Sequence, residues 1–410
     1  MLRPFFAEDP AAFVVKDHSR AQRIVDRLIA LDASVVASEL TAITAKLDAK
    51  HRDTTALFRQ RFNELEGINT DRSAINVDQA LLIGAYFTEE FSFESAALFN
   101  PSIVRSPDQS GQQAGALRFL LSLRGIGEGH VSSVTFRSGT WHEDGSVIVD
   151  APSKYAVPPT IDSSRSSELG FVVHVSCAAA KDISETVIFP FLPSQGKGIE
   201  DVRMVEFTED DGARDWRATF TAFDGAEVRQ ALFRTDKFET FTIQAIVGQL
   251  AKSKGAALFP RPVGGRYLML GRPDNENIWL FSSDDFRSWS NGRQLLSPRF
   301  PWEFVQLGNC GSPIEIDEGW LVLTHGVGVA RNYAIGACLL DKDDPMKVLG
   351  RLSTPLLAPT EMDRAGYVPN VVYSCGALLR GRSLLLPYGV ADTYSAFAVV
   401  EIDGLLAAMK

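Results

Sequence analysis

The stretch "GKGIEDVRMVEF", residues 196–207, sets Glu200, Asp201 and Arg203 at the mouth of an apolar strand containing Val202, Met204 and Val205. A carboxyl group there, raised in pKa by burial and by a neighbouring carboxylate, suits general acid catalysis. The same three residues also suit a structural ion-pair network capping a strand, since such networks perturb pKa values too. Other polar residues recur at the turns of hairpin-like segments: Arg124, Asp224, Arg272 or Asn277, His325, and Asp392 with Tyr388. The set holds acids, cations and hydrogen-bond donors. It has neither a Ser-His-Asp order with a nucleophile elbow nor metal-ligand spacing. Such a set fits a polyhydroxylated ligand beside an anion.

Gathering these residues requires a repeated scaffold. Five segments share one grammar of apolar strand, polar turn and second strand: 118–136, 217–233, 266–282, 320–340 and 383–402. Two run into related tails, "TDKFETF" (235–241) and "SDDFRSW" (283–289), both Ser/Thr-Asp-x-Phe-x-x-aromatic. Repeats of about 65 residues, a little more than a four-stranded blade needs, predict an all-β, five-bladed β-propeller over 91–410. A pair of β-sandwiches with coincidental hairpins is the competing architecture. In a propeller the inner strands line a funnel, so corresponding turns become neighbours.

Before the repeats, residues 20–66 read as helix, with Ile24, Leu28, Leu31, Val35 and Leu40 at helical spacing and no Pro or Gly. A further short helix is predicted over 77–88. Residues 1–90 thus form an N-terminal α-helical extension whose apolar stripe must cover something, its own propeller or a second copy.

The chain has 410 residues, 45% hydrophobic, and a net charge of −10. That balance disfavours a general nucleic-acid surface, which needs clustered Lys and Arg. Cys177, Cys310, Cys338 and Cys375 form no C-x-x-C pair and read as buried free thiols of a reducing compartment. The first residues lack a signal-peptide pattern, and no apolar run approaches a membrane span. The expectation is a cytoplasmic protein with no membrane partner.

Seven segments, in order, carry a resemblance: "FNPSIV" (99–104), "GIEDVR" (198–203), "KGAALFPR" (254–261), "WLVLTHGVG" (320–328), "YAIGACLLDKDDP" (333–345), "GYVPNVVYSCG" (366–376) and "YGVAD" (388–392). Together they resemble glycoside hydrolase family 130, the β-mannoside phosphorylases and some β-mannosidases, built as five-bladed propellers. The helical extension is similar to that of longer members, where such helices help form oligomers. The resemblance implies inverting phosphorolysis of a β-mannoside to α-mannose 1-phosphate and a shortened acceptor. Inorganic phosphate would be the co-substrate, with no metal or organic cofactor.

Asp201 falls at the general acid of a Glu-Asp-Pro-Arg-like motif, although this sequence has Val202 where Pro is common. The resemblance implies that it delivers its proton through a hydroxyl of the mannose. Arg203 is expected to pair with Glu200 or to orient the loop. Arg124, Lys254 and His325 match the family's phosphate-holding positions, with Arg137 and Tyr333 as additions. Asn100, Ser102, Glu200 and Asp392 are the substrate-binding candidates.

A phosphorylase needs cations for its anionic nucleophile, whereas an inverting hydrolase needs a second carboxylate to activate water. Glu128 in "GIGEGH" is the acid that would serve a hydrolase if it faced the cleft. Each cation also has an ordinary reading: Arg124 paired with Glu128, Lys254 on a solvated loop, His325 as a core histidine. Tyr373, Tyr388 and Trp302 offer either a stacking face for the acceptor sugar or core packing. A β-mannosidase on the same scaffold and a non-catalytic glycan-binding propeller remain the alternatives. Segment 140–195 carries no readable motif.

Overall fold

The computed structural model describes residues 1–13, 18–167, 170–360 and 366–410. Its backbone divides into a unit of Met1–Ser92 with Lys154–Ala156, and a unit of Phe93–Ser153 with Val157–Lys410.

The first unit holds helices Arg20–Ile29, Ala33–Asp48, Thr54–Glu64 and Val77–Tyr86, and a two-stranded sheet of Leu2–Pro4 with Thr88–Glu90. The helical run expected over 20–66 is therefore three helices. Neither break needs Pro or Gly. Asp32 takes an extended conformation at the second N-terminus, and Asp53 a left-handed one (φ 51°) at the third. Short polar side chains tolerate these conformations and favour helix starts. Ser19 accepts from Gln22 N at the first helix, and an Asn76–Gln79 capping box opens the fourth. Val25, Leu28, Val36, Leu82, Ile83 and Phe87 form one buried cluster of this unit, and Leu2, Leu47, Phe58 and Leu81 another. A Cβ at Gly84 would collide with the Phe58 carbonyl, so two helices pass there in close contact. Among the described residues no single helix is long and apolar enough to cross a membrane.

The second unit is mostly β. All five sequence hairpins are present as antiparallel pairs: Leu117–Ile126 with Ser132–Trp141, Arg214–Phe223 with Val228–Thr235, Tyr267–Arg272 with Ile278–Ser283, Gly319–Val327 with Tyr333–Leu340, and Ser383–Val390 with Tyr394–Glu401. A strand precedes and pairs with each hairpin: Ala97–Arg105, Gly198–Thr208, Lys254–Leu258, Gln306–Asn309 and Val372–Tyr373. A single parallel bridge, Gly198 to Ser132, joins the first two groups into one larger sheet. The last group meets the first, with Leu98 N donating to Thr393 O (3.0 Å) and Cys375 N to Pro101 O (2.9 Å). Leu385 packs there with Ile103, Phe119 and Leu121.

The two tails fold alike. Phe238 (φ 61°) and Phe286 (φ 58°) both take a left-handed turn, and both Phe241 and Trp289 are buried. Among the described residues, segment 140–195 contributes four strands the sequence did not signal, Val147–Val149, Thr160–Ser167, Gly170–Ser176 and Val187–Ile188; the second and third of these extend the second group beyond Thr240–Ala245, and residues 168–169 lie outside the described residues. Thr160–Ser167 is polar apart from Ile161, so no alternation of apolar residues marks it. The four cysteines are buried free thiols.

Candidate active site

Three of the strands that precede a hairpin carry the same irregularity near their start. Pairing slips between Phe99 and Ser102, between Glu200 and Arg203, and between Lys254 and Ala257. In each, two residues oppose one, and the first takes a left-handed conformation: Asn100 (φ 50°), Asp201 (φ 52°) and Gly255 (φ 83°). Such a bulge re-aims a side chain that a regular strand would bury or face sideways. Left-handed Asn and Asp cost of order 1 kcal/mol each and recur where structure serves a site.

The bulges bring the first two side chains together. Asn100 Nδ2 donates to Asp201 Oδ1 at 2.8 Å. Beside them Arg124, directly opposite Phe99 in its sheet, donates from Nη2 to Glu200 Oε1 (2.7 Å) and from Nε to Ser132 Oγ (3.0 Å). Its Nη1 lies 3.7 Å from Asp201 Oδ1. Lys254 Nζ donates to Glu200 Oε2 at 3.0 Å. Asn100, Arg124, Glu200, Asp201 and Lys254 thus form one linked cluster, built from three of the five strand groups.

Arg203 takes the loop-orienting role rather than pairing with Glu200. Fully buried, it donates to Cys310 O (2.8 Å), to the Asp201 carbonyl (3.0 Å) and to Tyr373 OH (2.8 Å). It therefore pins the bulge that aims Asp201. Arg203→Met would leave three acceptors without this donor, that of Cys310 fully buried, and is expected to destabilise the protein by about 3 kcal/mol. Denaturant unfolding with an unchanged slope would measure it.

Arg203 leads to a second cluster. The Tyr373 ring lies 4.8 Å from that of His325, and Tyr333 stacks on His325 at 6.3 Å. His325 Nε2 faces Arg272 Nη1 and Gln306 Nε2, each at 3.2 Å. A guanidinium can only donate, so Nε2 accepts. Burial, Arg272 and Arg203 together hold the His325 pKa well below the usual histidine value. His325 is therefore a neutral imidazole, which corrects its reading as one of the cations. The cation here is Arg272, which lies opposite Lys254 of the strand that precedes its hairpin. Its Nε has no hydrogen-bond partner among the described residues although it is buried. The sequence offered Arg272 and Asn277 as equal choices. Asn277 instead donates to Asp274 within the turn.

The Asp201 carboxyl is shifted opposite to expectation. Burial pushes it up, but Arg124, Arg203, the Asn100 hydrogen bond and Lys254 outweigh that and hold it below the usual carboxylate range. The raised acid is Asp392, pushed up to about 6 by burial and by Asp201, against Arg124 and Arg331. Asp392 (φ 51°) sits on the turn of the last hairpin, within the field of the first cluster.

Four other expectations need correction. Ser102 is fully buried, and its hydroxyl accepts from Met204 N at 2.9 Å; it ties two strands together and cannot meet a sugar. Arg137 lies mid-strand, buried, and donates to Glu94 Oε1 (2.7 Å) and Phe136 O (2.8 Å), so it joins neither cluster. Both Glu200 oxygens are taken by Arg124 and Lys254, which makes Glu200 a counter-ion rather than a sugar ligand. Asp224 caps its own exposed turn through Ala226 N and Glu227 N. Glu128 lies exposed on the first hairpin turn, and Arg124 turns to Glu200 instead. Trp302 packs against Gly326 and Gly336, and Tyr388 packs against the core of the last two groups. Among the described residues no cluster of His, Cys, Asp or Glu is placed to hold a metal ion.

A family profile described as beta-1,4-mannooligosaccharide phosphorylase matches residues 163–410, more than half of the chain. The chain belongs to glycoside hydrolase family 130. Beta-1,2-mannobiose phosphorylase of Listeria innocua is 36% identical over 227 residues, covering 53% of this chain and 62% of the relative. A 1,2-beta-oligomannan phosphorylase of Thermoanaerobacter sp. is 39% identical over 158 residues, covering 37% of this chain and 52% of the relative. These alignments span less than two thirds of either relative. The solved Listeria innocua beta-1,2-mannobiose phosphorylase in complex with beta-1,2-mannobiose is 27% identical, with a TM-score of 0.53. That superposition covers 78% of this chain and 93% of that one. Residues 163–410 include Glu200, Asp201, Lys254, Arg272, His325, Tyr333 and Asp392; Asn100 and Arg124 lie before the match.

Proposed function

We propose that this family 130 chain is an inverting β-mannoside phosphorylase. One observation carries the reading: Arg124 and Lys254 converge on a single carboxylate, that of Glu200, one residue from Asp201. Two cations already arranged around an oxyanion are what a phosphate nucleophile requires. Arg272, with its unpartnered buried Nε, adds a third. The names of the relatives support the same chemistry.

In this reading phosphate attacks the anomeric carbon from the face opposite the leaving sugar. Asp201 gives up a proton, through a mannose hydroxyl, to the departing oxygen, and α-mannose 1-phosphate and a shortened acceptor leave. In the empty site the surrounding cations keep Asp201 ionised. A phosphate dianion would offset their charge and restore the acid, so nucleophile binding prepares the proton donor. Asn100 fixes the carboxyl's orientation, and Asp392 takes sugar hydroxyls. No cofactor enters the scheme.

We read the five strand groups as blades of a propeller, supported by the five equivalent hairpins and by the contact of the last group with the first. The helical unit is read as a packing or self-association surface, and the four free thiols support a reducing, cytoplasmic setting.

The test is incubation with β-1,2- or β-1,4-mannobiose, with and without phosphate. The expected product is α-mannose 1-phosphate, formed only with phosphate. Free mannose released at the same rate without phosphate would establish a hydrolase, and binding without turnover a lectin-like protein.

A further inference from the structure

The sequence offered three aromatic residues as acceptor-sugar platforms, and the structure uses all three elsewhere: Tyr373 under Arg203, Trp302 against glycines, Tyr388 on a core. Another aromatic pair stands beside the site. His130 and Tyr367 stack with ring centroids 6.2 Å apart and an interplanar angle of 27°. Both are exposed, Tyr367 to 75%. Packing does not explain a parallel pair that stays in water, and an open aromatic face suits the C–H face of a sugar ring.

The backbone fixes where this pair lies. His130 (φ 57°) ends the turn of the first hairpin, between Arg124 and the Ser132 that accepts from it. Tyr367 N donates to Thr393 Oγ1 at 3.0 Å, and Val368 N donates to Ala391 O at 3.0 Å. These bonds flank Asp392, which lies in the field of Asp201 and Arg124. Asn370 O accepts from Tyr333 N at 2.9 Å, so residues 367–370 run from the turn bearing Asp392 to the strand bearing Tyr333. The pair is therefore exposed and tied through the Tyr367 and Val368 backbone to the residues on either side of Asp392. Tyr367 and His130 come from different strand groups, so the pair forms only when the first and last groups meet.

We propose that His130 and Tyr367 form the seat of the leaving sugar, the acceptor ring of the β-mannoside, with Tyr367 supplying the stacking face. This rests on the phosphorolytic reading of the site. The inner clusters hold the phosphate and the ring whose bond is cut. The outer ring emerges past Asp392, and the exposed pair is the apolar surface that meets it. Stacking discriminates little between hydroxyl configurations, so the seat selects a pyranose in this position rather than one particular sugar.

The test runs the reaction in the synthetic direction, from α-mannose 1-phosphate and a mannose acceptor. Tyr367→Ala is expected to raise the acceptor KM about tenfold, the size of one stacking contact, while kcat and the KM for mannose 1-phosphate stay unchanged. His130→Ala should act in the same direction more weakly. Tyr367→Phe and Tyr367→Trp should restore the acceptor KM, which a merely structural or hydrogen-bonding role would not predict. An unchanged acceptor KM in both alanine variants would overturn the proposal. Calorimetric binding of β-1,2-mannobiose to Asp201→Asn, with and without Tyr367→Ala, separates the two readings. Should no phosphorolysis occur in the parent enzyme, a Tyr367-dependent affinity would still uphold the seat, and an unchanged affinity would dismiss it.

Discussion

Asp201→Asn is expected to lower phosphorolysis by about 10²–10⁴-fold, the contribution of a positioned general acid. The fold should survive, because Asn tolerates the left-handed conformation that residue 201 holds (φ 52°). Its side-chain oxygen can still accept from Asn100 Nδ2, as Asp201 Oδ1 does. What is lost is the proton and the charge beside Arg124. Thermal unfolding should therefore stay close to that of the parent protein while turnover collapses. Equal loss of both would make residue 201 structural, and retained turnover would remove it from the chemistry.

The second large effect is expected at Arg124. Arg124→Ala removes the shorter of the two charge-assisted bonds that converge at Glu200, 2.7 Å against 3.0 Å for Lys254. A charged hydrogen bond to phosphate is worth about 1.5–3 kcal/mol, so the phosphate KM should rise about 10–100-fold. The mannoside KM should change far less, because no sugar contact is assigned to Arg124. Steady-state kinetics with each substrate varied in turn measure the split. Equal changes in both constants would mean that Arg124 only braces Glu200 and Ser132. Glu200 also competes with phosphate for the same cations, so Glu200→Gln bears on phosphate affinity rather than on sugar affinity.

Much of the scaffold was legible because its signals are local. Each hairpin announces itself as an apolar strand, a polar turn and a second strand, and all five are antiparallel pairs. The tails around Phe238 and Phe286 share a sequence pattern and the same positive φ. The breaks near Asp32 and Asp53 were missed because the apolar stripe runs across them without Pro or Gly. Strand Thr160–Ser167 was missed because its polar residues give no alternation.

The site divides the same way. Residue types and a family motif singled out Asp201, Arg124 and Lys254, and the structure gathers them. Their protonation was not legible, since it depends on partners distant in the chain. Arg203 reaches Cys310 and Tyr373 through the fold, and its charge helps depress Asp201. Ser102 was placed in the site by its motif, and Arg137 was added to the cations without one. Side-chain direction along a strand depends on register, and the bulge between Phe99 and Ser102 shifts it. His325 was counted with the cations because it matches a phosphate-holding position of the family, whereas burial beside Arg272 holds its pKa low and leaves the charge to Arg272.

A crystal of the Asp201→Asn variant grown with phosphate and β-mannobiose settles the geometry on which all of this rests. The expected result is phosphate within about 3 Å of Arg124, Lys254 and Arg272, the distance of a charge-assisted hydrogen bond, and on the face of the mannose opposite the glycosidic oxygen. The side chain at 201 should lie on the leaving-group side. Phosphate bound elsewhere, or a side chain at 201 turned away from the sugar, would contradict the mechanism.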